Sequence, residues 1–156
     1  VLIGHSDGGT IALIHAAAGR WPVRGMVIMA PHIFVEDVTL EGIRQAKAAF
    51  TAGGLRRKLA PWHTDVDATF SGWADVWLTS EFHDWSIEPQ LSGITCPVLL
   101  IQGELDRYGS PEQVNATARL VSGPAEVMLI PKCGHAPHVE REELVVGAIV
   151  RFVERV

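Results

Sequence analysis

Cysteine is scarce in this chain. The 156 residues contain two, Cys96 and Cys133, and neither stands in a CxxC or a Cys/His ligand spacing. That excludes a disulfide framework and a thiolate zinc site, and it points to two buried thiols in a reducing, cytoplasmic compartment. Long apolar runs are also missing, none approaching the ~18 residues of a membrane span. Positive charge is sparse: 13 Lys and Arg stand against 18 Asp and Glu, for a net charge of -5. The basic residues are scattered, so neither nucleic acid nor an anionic membrane is expected as the main partner. Internal repeats and low-complexity stretches are absent too. An initial Met is lacking, and Val1-Leu2-Ile3 already reads as a buried strand. The chain is therefore expected to begin mid-domain, with further strands upstream of Val1.

What remains is apolar and punctuated. At 47% hydrophobic residues the chain can fill one globular core. Four short apolar runs, Val1–Ile3, Met26–Ala30, Val98–Ile101 and Val127–Ile130, have the length and composition of buried strands. Helical patterns alternate with them. Thr10–Ala18 carries Ile11, Ile14 and Ala18 at helical spacing, and Ser110-Pro111-Glu112-Gln113 supplies an N-cap, a first-turn proline and a capping-box Gln. The segment Glu140–Val153 aligns Leu144, Val145, Ala148, Ile149 and Phe152 on one face. Alternation of this kind predicts an α/β fold, a parallel sheet covered by helices on both faces.

One segment breaks the alternation. Between His32 and Gly93 the patterns are helical, with Leu40, Ile43 and Phe50 in one and Val66, Phe70, Trp73 and Trp77 in another. Four of the five tryptophans, Trp62, Trp73, Trp77 and Trp85, fall there. The expected organisation is a core segment 1–31, a helical insertion 32–93 and a second core segment 94–156. The aromatics serve either as the insertion's own core or as a lid over a substrate, and Trp73 and Trp77 are the candidates for substrate contact.

Gly4-His5-Ser6-Asp7-Gly8 matches GxSxG, directly after an apolar strand and before a helix. A serine at such a turn is forced into a strained backbone conformation that lifts its hydroxyl clear of the sheet. Gly4 and Gly8 are expected to supply the room it needs. The helix that follows aims unsatisfied N–H groups at the same spot, so the Asp7 N–H is the candidate first oxyanion donor. A serine hydroxyl is a poor nucleophile until a base removes its proton, and the base needs an orienting carboxylate. Asp106 follows the third strand and His135 the fourth, at the carboxyl edge where parallel sheets place their sites. Ser6, Asp106 and His135 stand in the order this chemistry uses on this fold. Glu104 competes as the acid, as do Glu36 and Asp37 after the second strand. His138, beyond Pro137, is expected to be outlying or solvated, while His5 and His32 flank the pocket as structural or substrate-lining residues.

With the Gly-His-Ser-Asp-Gly-Gly turn, the Ala-rich helix, the Gly25–Ala30 and Cys96–Gly103 strands and Gly134-His135 in view, the chain resembles the α/β-hydrolase superfamily over essentially its whole length. Its Ser-Asp-Gly-Gly turn and the insertion after the second strand are similar to the biphenyl hydrolase-like esterases. The resemblance implies an acyl-enzyme mechanism on an ester, thioester or related small-molecule acyl compound, with no cofactor and no metal. Serine at position 6 speaks against the dehalogenase and epoxide hydrolase branches, which attack with a carboxylate. A carbon–carbon bond hydrolase, a non-catalytic hydrolase-like binding domain, and a fragment that associates through its N-terminal strand edge are the alternatives. The resemblance also implies a second oxyanion N–H upstream of Val1, so the 156 residues alone are expected to turn over weakly or not at all.

Overall fold

A computed structural model describes all 156 residues, and these divide into two compact units. The larger comprises residues 1–34 and 86–156 and the smaller residues 35–85. In the larger unit, β1 (Leu2–His5), β2 (Met26–Met29), β3 (Val98–Gly103) and β4 (Ala125–Ile130) form one sheet in the order β1-β2-β3-β4. All three pairings are parallel, with Gly4 opposite Ile28, Met29 opposite Ile101 and Gly103 opposite Ile130.

The smaller unit carries α2 (Asp37–Thr51), α3 (Gly54–Leu59) and α4 (Val66–Trp77). Asp65 caps α4 by accepting the Ala68 N–H at 2.9 Å. Lys47 to Asp75 and Arg56 to Asp67 tie its helices together at the surface. Its interior is aromatic. Phe50 stacks on Phe70 at 3.9 Å, Trp73 meets the Phe70 edge at 5.6 Å, and Trp77, Phe82 and Trp85 form a second cluster with centroids 5.0 to 5.8 Å apart.

The remaining helices, α1 (Asp7–Ala17), α5 (Glu112–Leu120), α6 (Pro137–Glu140) and α7 (Glu142–Val153), belong to the larger unit. Alternation along each strand sorts its side chains by face. Val27, Met29, Leu99, Ile101 and Ile130 bury against Val145, Ala148 and Phe152 of α7. On the opposite face Met26, Ile28, Val98 and Leu100 are buried, as are Leu13 of α1 and Val114 of α5. The β2 and β3 strands are buried along their whole length, which is why Met26–Met29 and Val98–Ile101 read as unbroken apolar runs. No helix is long and apolar enough to cross a membrane.

Three local expectations need correction. The expected turn over Gly4–Gly9 is narrower, because α1 starts at Asp7 and Ser6 alone makes the reversal. Gln113 is no capping-box residue. It is fully buried, its Oε1 accepts the Ile33 N–H at 2.8 Å and its Nε2 donates to the Phe34 carbonyl at 3.1 Å, so it pins the chain leaving β2. Of the two thiols only Cys133 is buried, whereas Cys96 is partly exposed before β3.

Candidate active site

The carboxyl ends of the four parallel strands converge on Ser6, His32, Asp106 and His135, all within the larger unit. Ser6 sits at φ 53, ψ -125, one of three non-glycine residues with positive φ. Its N–H donates to the Met29 carbonyl at 2.9 Å, and its own carbonyl accepts the N–H groups of Gly9 and Thr10. The strained residue is thereby fastened both to the sheet and to α1. A Cβ on Gly4 would lie 2.4 Å from the Gly8 carbonyl oxygen and 2.7 Å from Gly9 Cα, so only glycine lets β1 pass this close to the helix. Gly8 is different from what its motif position suggests. A Cβ there would meet nothing within 4 Å, whereas one on Gly9 would press on Ile28 at 3.2 Å.

His135 lies between the other two side chains. Its Nδ1 is 2.7 Å from Asp106 Oδ2 and its Nε2 2.9 Å from Ser6 Oγ. Because a carboxylate can only accept, the Nδ1 carries the proton and Nε2 is left to accept from the Ser6 hydroxyl. The Asp106 side chain is 1% exposed and that of His135 21%, so the carboxylate end of the array is dry and the end at Ser6 more open. Asp106 Oδ1 accepts the Tyr108 N–H at 2.8 Å, and Oδ2 also accepts from the Gln102 amide at 2.8 Å. Gly103 allows the two loops to meet, since a Cβ on it would stand 2.2 Å from the Gly134 carbonyl oxygen and 2.4 Å from that of Cys133. No group of His, Cys, Asp and Glu side chains has the arrangement of a metal centre.

The surrounding histidines brace these loops. His5 Nε2 donates to the His135 carbonyl at 2.7 Å, and its ring lies 5.0 Å from that of His135. His32 Nε2 donates to the Tyr108 carbonyl at 2.8 Å, while Thr10 Oγ1 both donates to the His32 carbonyl and accepts its N–H. Burial lowers the pKa of both His5 and His32. For His5 the bond to the His135 carbonyl opposes that shift, while the nearby His135 and His138 add to it. Burial also raises the Cys133 thiol pKa. His138 packs its ring edge against His5 at 4.6 Å. Glu140 accepts the Gly134 N–H at 2.8 Å and the Ala136 N–H at 3.4 Å, gripping the residues on either side of His135.

The other named residues fall as follows. The Asp7 N–H is the first of α1, where no intrahelical carbonyl reaches it, and the Asp7 side chain is exposed. Glu104 is exposed and only its N–H is engaged, with the Ile130 carbonyl. Glu36 and Asp37 stand at the start of α2 in the smaller unit, which also holds Trp73 and Trp77. Sequence reasoning passed over Gln102 and Tyr108. The signal for Gln102 was a lone amide at the end of the otherwise apolar β3; Tyr108 gave none. A cavity of about 440 Å³ opens at the opposite end of the strands, among Ala16, Arg20, Trp21, Ile94 and Cys96, away from this chemistry.

Residues 1–148 match the model of the alpha/beta hydrolase family. The chain is 29% identical to a pimeloyl-[acyl-carrier protein] methyl ester esterase of Xylella fastidiosa strain 9a5c, over 98% of its own length and 70% of that protein. Among solved structures it resembles a meta-cleavage product hydrolase from Pseudomonas fluorescens IP01, with TM-score 0.75 at 18% identity, covering 98% of this chain and 64% of that one. It also resembles a membrane phospholipase A described as a bacterial virulence factor, with TM-score 0.75 at 21% identity, covering 97% and 56%. The chain thus spans little more than half to two thirds of these two structures. A parallel sheet that carries Ser6 on a strained strand-to-helix turn, and a family model matched over nearly its full length, lead to one assignment: the chain belongs to the alpha/beta hydrolase family.

Proposed function

We propose that this protein is a serine hydrolase that cleaves a small-molecule ester, thioester or related acyl compound through an acyl-enzyme on Ser6. The observation that carries the reading is the continuous line of hydrogen bonds from Asp106 Oδ2 through His135 to Ser6 Oγ, at 2.7 and 2.9 Å. His135 Nε2 takes the Ser6 proton as Oγ attacks the acyl carbon, and the Asp7 N–H donates to the oxygen on which negative charge develops. Collapse of that intermediate expels the alcohol or thiol, which receives the proton from His135. Water then attacks the acyl-enzyme with His135 again acting as base, and Ser6 is restored. Asp106 keeps the ring in the tautomer that leaves Nε2 free to accept.

The esterase name of the Xylella fastidiosa relative supports esters as the first class to examine. The helical insertion expected over 32–93 is proposed as a cap in its smaller-unit part, residues 35–85, with Trp73 and Trp77 as apolar substrate contacts. Asp7 is the single oxyanion donor assigned, and one missing donor costs on the order of 100-fold to 1000-fold in turnover. Slow steady-state turnover by these 156 residues is part of the proposal, and the acyl-enzyme is the better observable. An activated short-chain ester should give a burst of one leaving group per protein and a mass increase on the peptide containing Ser6. Equal ester cleavage by Ser6→Ala, without an acyl adduct on the unaltered protein, would refute the mechanism.

A further inference from the structure

Gln102 occupies an odd place for an amide. It ends the apolar strand Val98–Gly103, shares a face with Val98 and Leu100, and is fully buried. Its Nε2 donates to two acceptors, Asp106 Oδ2 at 2.8 Å and the Gly109 carbonyl at 3.0 Å. Two acceptors on one end fix the amide: turned over, its oxygen would face a carboxylate and a carbonyl. Its Oε1 meanwhile is buried and meets no donor of the protein. That unmatched oxygen is a cost, set against the two bonds through which the same side chain satisfies buried acceptors. A lone amide at the end of an otherwise apolar strand, turned onto a buried carboxylate, is the kind of local departure expected where function sets the residue.

We propose that Gln102 is a positioning residue, its amide clamped between Asp106 Oδ2 and the Gly109 carbonyl so as to fix the plane of the carboxylate that orients His135. The inference rests on the reading of Ser6, His135 and Asp106 given above.

The geometry explains why one more donor matters. A carboxylate turns easily about its last torsion, whose wells are broad. Oδ1 is held by one backbone N–H, that of Tyr108, and Oδ2 faces His135, the side chain it orients. Without the amide, the only other fixed point is that single N–H, and the carboxylate can swing Oδ2 out of line with Nδ1. With it, each oxygen is held by a donor from the folded framework, and the Nδ1–H finds its acceptor already in place. Gly109 completes the clamp from the far end of the Asp106 loop. A Cβ on Gly109 would stand 3.5 Å from His32 Nε2, which itself holds the Tyr108 carbonyl.

The test compares the 156-residue protein with Gln102→Met, Asp106→Asn and Ser6→Ala in the rate of fluorophosphonate labelling. Proton NMR follows the far-downfield Nδ1–H resonance of His135. Methionine matches the length of glutamine and removes both donors. Loss of one hydrogen bond to a charged group predicts labelling slower by about tenfold to a hundredfold. The melting temperature should fall by about 3–10 °C, since Asp106 Oδ2 and the Gly109 carbonyl each lose a donor. The downfield resonance should shift or broaden. A merely structural glutamine would lower the melting point by as much and leave the labelling rate of the folded protein and the downfield resonance as they were; an unchanged rate and resonance overturn the proposal.

If Gln102→Met does not fold, the side-chain amide of Gln102 in the unaltered, ¹⁵N-labelled protein decides. Its two protons should exchange slowly and move on Asp106→Asn, and an amide unaffected by that change rejects the clamp. Undiminished labelling of Ser6→Ala or Asp106→Asn would instead bring down the underlying mechanism. Loss of labelling in both, with Gln102→Met at the wild-type rate, brings down this inference alone.

Discussion

Two glycines four residues apart in one motif should behave in opposite ways. In Gly4→Ala the new Cβ would lie 2.4 Å from the Gly8 carbonyl oxygen, about 1 Å short of the 3.4 Å at which ordinary contact begins, and both Gly8 C and Gly9 Cα stand at 2.7 Å. Every one of these atoms is backbone, so no side chain can turn aside. The first turn of α1 must move away from β1 and carry Ser6 with it. Overpacking of this kind costs about 1–3 kcal/mol, and a displacement near 1 Å at a reacting group costs about 100-fold in rate. In Gly8→Ala the Cβ enters open space, and replacement of a helical glycine stabilises by up to about 1 kcal/mol. Fluorophosphonate labelling and thermal melting on the same three proteins separate the cases. Gly4→Ala should label about 100-fold more slowly and melt lower; Gly8→Ala should label normally and melt up to about 4 °C higher. Equal labelling by Gly4→Ala and the unaltered protein would refute the packing argument, as would a Gly8→Ala protein as impaired as Gly4→Ala.

The His135 loop and the buried histidines give two further tests. Because Glu140 accepts the N–H groups of Gly134 and Ala136, Glu140→Ala should slow labelling about fivefold, the effect of roughly 1 kcal/mol for a hydrogen bond at a partly exposed site, whereas Glu140→Gln, which keeps an acceptor oxygen, should stay close to the unaltered rate. The lowered pKa values of His5 and His32 predict a pH-dependent stability. A histidine whose folded pKa lies below its unfolded value of about 6.5 binds fewer protons folded than unfolded. Its contribution is fully present above about pH 6.5 and is lost as pH falls toward and through the lowered folded value. His135, His138 and Asp106 face His5, and His135, Asp7 and Asp106 face His32. The melting temperature should therefore drop between pH 7.5 and 5, with a shallower slope in His32→Gln. An unchanged slope in that variant would show that the proton uptake lies elsewhere.

How much of this was legible in the sequence follows from how local each signal is. The central strands were legible because a parallel strand buried on both faces is predominantly apolar, as β2 is throughout and β3 is as far as Gln102. Ser6 was legible because its strain needs a specific neighbour, Gly4, two residues away. Asp106 and His135 were nameable from their places after β3 and β4, and the fold brings their side chains to hydrogen-bond distance. What escaped depends on partners far along the chain. Gln113 has the spacing of a capping residue, yet the Ile33 N–H, 80 positions away, draws its side chain inward. The tight glycine on the helix side is Gly9 and not Gly8, because Ile28 lies under it and nothing lies over Gly8. Gln102 was visible as a lone amide, but its two acceptors become apparent only once the 103–109 loop is folded back over the strand end. Cys96 was expected inside and is partly exposed, since the apolar run it precedes begins only at Val98.

The claim on which the rest depends is that His135 activates Ser6. The most direct measurement is fluorophosphonate labelling of the 156-residue protein, with the adduct located by mass spectrometry and Ser6→Ala and His135→Ala as controls. The mechanism predicts one adduct per chain, on Ser6, absent from both variants. No adduct on the unaltered protein, or one that persists in either variant, would contradict it.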